Sequence, residues 1–392
     1  MAIKRKQYLY KVYKPDGEFV SNLNDVISEP NFDKKINASL GELTLRLARK
    51  FDSFGEEVDI TLNYEIRITC VDFEAPNGII VYSGYISGYK PVLNEDSEYV
   101  EITLLPFVTS LEDDILNNAG VTTVAYSSQD PNDILSDIIS KYAGKITKQA
   151  GTDVGVVVSY SFNTTTYLQA IKKCRDLSAF GWYFYIDASN ELVFKEVSET
   201  PDHILTIGKD ILSIQPEKRI ENVKNTVLFV GDGIFKKYER SGSISAYGRK
   251  VAIIQDNRVS VEATADIMAT KLLDEQESPE IRTLLRVLDS NSDSKGYDIE
   301  SFKPGDIIKI EGFGTDYPQS VFDTSIWDET SWDYSVSYAT RNPMQIVSIK
   351  YSPDEVELEL SSKPIPVQSR VEDIYRFMQQ NINNDNPSEP TI

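Results

Sequence analysis

The residue types able to carry chemistry are few in this 392-residue chain: one histidine, two cysteines and a loop of evenly spaced aspartates. His203, between Asp202 and Ile204, would have to serve any Ser-His-Asp or Cys-His site, because no other imidazole can move a proton. No motif surrounds it, so it reads as a linker residue, solvent-facing or locally hydrogen-bonded. Cys70 falls in a predicted strand and Cys174 in a predicted helix. Each reads as a small buried hydrophobe rather than as part of a disulfide framework. HExxH and CxxC are absent, which leaves zinc without a ligand cluster. Asp323, Asp328 and Asp333 can in principle reach one calcium, but a five-residue spacing is not that of an EF-hand loop. Gly231-Asp232-Gly233 lacks the further glycines and the lysine of a phosphate loop and reads as a hairpin turn. A glycosidase needs only two carboxylates a few ångströms apart, and nothing singles out a pair among 61 acidic side chains. No catalytic constellation is recognisable, and no cofactor or metal is expected.

Binding chemistry has a stronger signal. In FDTSIWDETSWDY, residues 322–334, an aromatic–Asp pair recurs every five residues, a period of neither helix nor strand. The stretch reads as a loop, and Phe322, Trp327, Trp332 and Tyr334 are candidate partner contacts, because exposed rings on loops anchor interfaces. The alternative is that these rings fold back over their own domain. Charge narrows the partners further. With 61 acidic and 40 basic side chains the net charge is −21, a field that repels phosphate. Lys4-Arg5-Lys6 is too short to reverse it. Grip on nucleic acid through a basic groove is therefore excluded, whereas an acidic wall suits nucleic acid sliding past. No 18-residue apolar stretch occurs and no apolar run follows the basic start, which predicts a soluble chain without an export signal.

The elements that would hold these residues are mainly β. Residues 1–112 read as an N-terminal β-domain: Gln7–Tyr13 and Glu18–Leu23 flank a Pro15-Asp16-Gly17 turn. Strands are predicted at Leu40–Leu47, Val58–Leu62, Tyr64–Asp72, Ile79–Tyr89 and Tyr99–Pro106. Residues 113–205 read as an α+β insert of two helices and a hairpin. The first helix has Asp130 as cap, Pro131 at its first position and Gly144 as its stop. The second carries Tyr167, Leu168, Ile171, Cys174 and Leu177 on one stripe, with Asn163 or the following threonines as cap and Gly181 as stop. Trp182–Ile186 and Leu192–Val197 then pair across Asp187–Asn190. The 145–159 stretch is predicted extended.

Residues 206–365 read as a second β-barrel domain with an aromatic loop at 318–340. Its one helix has the stripe Val261, Ala265, Met268 and Leu272. Thr226–Val230, Arg249–Asp256, Arg282–Leu288, Ile307–Glu311, Gln345–Tyr351 and Glu355–Leu360 read as its strands, the last with Glu355, Glu357 and Glu359 on a wet face. Residues 366–392 read as a short helix with a flexible tail, and Val371, Ile374, Tyr375 and Met378 form a second candidate interface. The fold class is α+β, mainly β: two β-barrel-like domains flank a small helix–hairpin domain.

That order, with four stretches in sequence, resembles the tail hub proteins of bacteriophages, the family of baseplate hubs and of the N-terminal hub region of siphophage tail-associated proteins. DPNDILSDIISKYAG at 130–144 is similar to the family's first insert helix. SFNTTTYLQAIKKCRDLSAFGWYFYIDASNELVFKE at 161–196 is similar to its second helix and hairpin. EKRIENVKNTVLFVGDG at 217–233 resembles the strand that re-enters the next barrel. FKPGDIIKIEG at 302–312 and MQIVSIKYSPDEVELELS at 344–361 resemble the closing strands.

The resemblance implies a non-enzymatic structural virion protein. It would be a homotrimeric tail hub at the distal tail tip, assembled in the host cytoplasm. Such a hub meets the distal tail protein ring, the tape measure protein, and tip, fibre or receptor-binding proteins, and passes DNA only in transit through an acidic conduit. Relatives often continue into a lytic or host-binding domain. This chain departs by stopping at a short helix and tail, which leaves lysis and receptor binding to partners. Two other classes stay in view: a tail-borne cell-wall hydrolase, and a carbohydrate-binding module stacking sugars on Trp327 and Trp332.

Overall fold

Alternation of apolar and polar side chains builds the first sheet. The structure, a computed structural model, describes residues 6–48, 60–71, 77–93, 98–116, 123–289, 296–311 and 343–363. In β1 (Gln7–Tyr13) Tyr10 and Val12 face inward, and a Gly17 turn at φ +90° returns the chain as β2 (Phe19–Leu23). β3 (Phe32–Lys35) leaves this sheet, and β4 (Leu43–Leu47) rejoins it with its three leucines buried. Long antiparallel strands follow as β5 (Glu65–Val71), β6 (Ile79–Leu93) and β7 (Glu98–Leu105), in the order β2-β1-β5-β6-β7-β4. The sheet curls until its two edges meet. Val26 bridges Leu47, and the Ile27 N–H donates to the Arg46 carbonyl at 2.8 Å. That contact covers edges that would otherwise template aggregation. The strand expected at Val58–Leu62 is not formed over its described part, 60–62. There Asn63, at φ +71°, turns the chain into β5, while residues 58–59 lie outside the described residues.

A short α1 (Ser110–Asp113) and β8 (Thr123–Gln129) lead into α2 (Pro131–Ser140). Its start is as expected: the Asp130 carboxylate accepts from the Asn132 N–H at 2.8 Å, with Pro131 at the first helical position. Its end is not at Gly144. The Lys141 N–H closes the last turn onto Ile138 and Ile139, so the helix stops before the glycine is reached. β9 (Thr147–Lys148) and β10 (Val158–Asn163) account for part of the extended stretch. α3 (Tyr167–Leu177) buries the whole expected stripe, and of the expected caps it is Thr166, the last of the three threonines, that closes a capping box with Gln169. Gly181, at φ +91°, does not end the helix, which finishes at Leu177. It turns the chain into β11 (Trp182–Ile186), paired in register with β12 (Glu191–Glu196). Both faces of β11 are buried: Trp182, Phe184 and Ile186 pack with α2 and α3, while Tyr183 and Tyr185 pack with Val347.

The remaining strands divide into two sheets. β13 (His203–Thr206) and β14 (Ile211–Arg219) meet at a tight corner where Ile207 bridges Ile211. β15 (Thr226–Val230), β16 (Phe235–Glu239), α4 (Ser241–Tyr247) and β17 (Val251–Gln255) follow, and then α5 (Glu262–Gln276). The chain closes with β18 (Glu280–Leu288), β19 (Ile307–Glu311), β20 (Met344–Tyr351) and β21 (Glu355–Ser361). One curled sheet has the order β13-β19-β20-β21-β18-β14; the other is the three-stranded β16-β15-β17. On β21 the acidic face pairs with β18, Glu359 to Arg282 at 3.0 Å and Glu355 to Arg286. α5 buries Ala265, Met268, Ala269 and Leu273. The expected stripe is displaced, because Val261 is the exposed N-cap and Leu272 is only half-buried.

β3 and the residues just after it help to lock these units together. β3 adds to β20, from Phe32 against Tyr351 to Lys35 against Ser348. Beyond it, Asn37, at φ +55°, donates its N–H to the Phe184 carbonyl at 2.7 Å and accepts from the Phe184 N–H at 3.2 Å. Phe32 meets Tyr82 of β6 edge-on and stacks on Tyr351, both at 5.0 Å, so the two curled sheets share one continuous core.

Candidate functional site

Buried polar and charged side chains gather at several places where separate elements meet. The sole histidine is at one of them. His203 opens β13 and is 8% exposed, so it is neither a linker residue nor solvent-facing. Its Nε2 faces the Asp306 carboxylate at 3.1 Å, and its Nδ1 lies 3.1 Å from the Tyr297 hydroxyl. The ring packs edge-on against Phe302. A carboxylate accepts, so Nε2 donates to Asp306, while Nδ1 shares a hydrogen bond with the Tyr297 hydroxyl. Both nitrogens are thus engaged in holding β13 to the 297–306 segment, and neither is free to activate a nucleophile.

A second cluster joins the two curled sheets. Lys6 reaches Asp289 and Glu300 at 2.6 Å each, the Tyr351 hydroxyl donates to Glu300 at 2.6 Å, and the Tyr8 and Tyr351 hydroxyls lie 2.8 Å apart. Burial alone would pull Lys6 down, but the two carboxylates hold its ammonium above the ordinary lysine value. Burial pushes the Tyr8 and Tyr351 phenols up. A third joins α3 and β10 to the loop after β17. Asp256 takes Lys173 at 2.7 Å, Arg258 at 2.9 Å and the Tyr160 hydroxyl at 3.2 Å. Burial works against its ionised form, yet these cations hold Asp256 at about 2.

The fourth cluster clamps α3 to α5. Arg175 meets Glu275 at 2.8 Å and Asp176 at 3.2 Å, and Lys271 donates to the Arg175 carbonyl. A cavity of about 40 Å³ adjoins it. Burial, with the Arg175 guanidinium beside it, pushes Lys271 down to about 7 from 10.5. Between those values the unfolded chain binds a proton that the folded one does not, so stability rises with pH. Urea unfolding should therefore give a free energy that climbs from pH 7 to pH 9, by up to about 1.4 kcal/mol per unit. Lys271→Met should flatten that slope; an unchanged slope in the variant would locate the effect elsewhere.

Of these clusters the Arg175 one lines a cavity, and at about 40 Å³ it has room for little more than a water. Depressions of about 520 Å³, between α4 and the end of α5, and about 200 Å³, beside Asp33 and Glu357, are lined by charged and hydroxyl side chains without a nucleophile–base pair. Among the described residues no group of three or more His, Cys, Asp or Glu could hold a metal ion, and no helix is long and apolar enough to cross a membrane. Cys70 and Cys174 are buried and not joined in a disulfide. Gly231-Asp232-Gly233 is the turn of the β15–β16 hairpin. The candidate contacts Phe322, Trp327, Trp332, Tyr334, Val371, Ile374, Tyr375 and Met378, with Asp323, Asp328 and Asp333, lie outside the described residues.

The surface that sequence reading missed is on β16-β15-β17. One face of this sheet packs on α5 through Val227, Phe229 and Ile254. The other presents Phe235, 77% exposed, and Ile253, 69% exposed. The signal was available: Val251, Ile253 and Phe235 occupy alternate positions facing away from the buried ones.

The fold is that of phage tail proteins. The 43 kDa tail protein of prophage MuSo2 from Shewanella oneidensis superposes with a TM-score of 0.60 at 12% identity, covering 91% of this chain and 98% of that one. Prophage tail protein gp18 from Listeria monocytogenes EGD-e gives 0.59 at 12% identity, over 95% and 99% of the two chains. The tail protein from Neisseria meningitidis MC58 gives 0.58 at 11%, over 90% and 96%. No protein-family profile matches the chain, and no curated protein matches it by sequence. The resemblance seen in the four sequence stretches is thus borne out at the level of fold.

Proposed function

We propose that this chain is a structural component of a phage tail, a homotrimeric hub at the distal end. In that role it links the distal tail ring and tape measure to tip or receptor-binding proteins. The observation that carries the reading is the end-to-end match: nine-tenths or more of the chain follows tail proteins that are themselves matched over almost their whole length. The interior agrees with a scaffold. Every buried charge cluster ties one element to another, and the sole imidazole is fully engaged. The net charge of −21 suits a conduit that DNA passes without adhering. Immunogold labelling of the particles that encode this chain tests the reading. Gold confined to one end of the tail supports it; gold along the shaft, or none on the particle, overturns it.

A further inference from the structure

The β16-β15-β17 sheet is covered on one side only. Its inner face lies on α5, where Lys236 and the Tyr238 hydroxyl both reach Asp266. Among the described residues the outer face is open except at Thr226, which is buried at 1% exposure. In register across its three strands are Phe235, Val230 and Gln255, then Lys237, Leu228 and Ile253, then Glu239, Thr226 and Val251. Phe235 is 77% exposed, Ile253 69% and Val251 44%, and they adjoin one another through the half-buried Leu228 and Val230. A sheet buries its apolar faces against something. A contiguous apolar patch of this kind marks an interaction surface rather than the ordinary scatter of exposed hydrophobes.

The rim says what covers it. Lys237 and Arg249 share the carboxylate of Glu239, at 2.6 and 3.1 Å, and Arg249 lies two positions before the outward Val251, so this edge carries one positive charge in excess. The rest of the chain carries a large negative excess, since the total is −21. A twofold contact would set Lys237 and Arg249 against their own counterparts, and like charges so placed are repulsive. The same face is complementary to acidic surface elsewhere on a second copy.

We propose that the outer face of β16-β15-β17 is a self-association surface that docks head-to-tail on a different, acidic surface of a neighbouring copy. A contact of this kind closes into a ring when its rotation allows. This deepens the tail-hub reading and rests on it for the claim that copies meet; the choice of face rests on exposure and charge.

Light scattering on the full chain at micromolar concentration tests it, with Ile253→Glu and Lys237→Glu as variants. The wild type should run as a closed oligomer. Ile253→Glu should weaken association by roughly thirty-fold or more with an unchanged melting curve. A photo-crosslinker placed at residue 253 then reports the contact. Crosslinks to acidic peptides outside residues 226–255 support head-to-tail docking; crosslinks from 253 to 253 show a twofold contact and overturn it. A wild type that stays monomeric, or an Ile253→Glu chain that assembles as before, also overturns it. Tail-end immunogold labelling combined with either result would sink this face alone and leave the tail role standing.

Discussion

A Phe32→Ala chain should lose about 3–5 kcal/mol of stability and unfold in two steps where the wild type unfolds in one. Phe32 is buried between Tyr82 of the first sheet and Tyr351 of the second, each ring 5.0 Å away. Truncation leaves a void that neither sheet can fill alone, because the ring's neighbours are anchored in strands on opposite sides. The deficit combines lost transfer energy, the cavity and two aromatic contacts. It also falls on the joint, so the β3–β20 backbone pairing and the polar cluster of Lys6, Tyr8, Asp289, Glu300 and Tyr351 are left to hold the second sheet to the first. Calorimetry reads both effects. A single transition shifted by less than about 1 kcal/mol would show that Phe32 does not couple the sheets.

Arg175→Ala should cost about 3–5 kcal/mol through a different mechanism. Arg175 and Glu275 are both buried, 2.8 Å apart, on helices 100 positions apart in the chain. Removing the guanidinium strands a buried carboxylate without its ion-pair partner. Lys271, whose amino group donates to the Arg175 carbonyl and which the guanidinium helps to keep uncharged, can compensate in part by taking up a proton. Removing both partners as Arg175→Met with Glu275→Leu should be far milder, because an apolar pair of similar volume needs no charge partner. Denaturant titration of the two variants decides the matter. If the double variant is as unstable as the single one, the loss comes from packing and not from the stranded charge.

What could be read from sequence was what is local. β1, β11, β15 and β19 have the bounds that their alternation or aromatic content predicts. α2 begins at its Asp-Pro signal, because a cap and a fixed φ act within one turn. Gly144 misled because backbone hydrogen bonds at Lys141 had already closed the helix. β3 was invisible for the opposite reason. Phe32-Asp33-Lys34-Lys35 has one apolar residue and is a strand only because β20 supplies its partner. The clusters around Arg175 and Lys6 were equally hidden, since their carboxylates come from distant parts of the chain. His203 looked like a linker because its partners, Tyr297 and Asp306, are about a hundred positions away. The outer face of β16-β15-β17 needed the parallel pairing of β15 with β17 before its exposed rows could be aligned.

The strand loaned by residues 32–35 has a consequence for how the molecule comes into being. Its partner, β20, is 313 positions downstream where Lys35 meets Ser348 and 319 where Phe32 meets Tyr351, and Tyr8 finds its hydroxyl partner 343 residues away. During synthesis the early segments therefore emerge from the ribosome long before the residues that complete them. Each nascent copy must hold a half-built wall open until β20 has been made, an interval in which chaperones or neighbouring nascent copies can reach it.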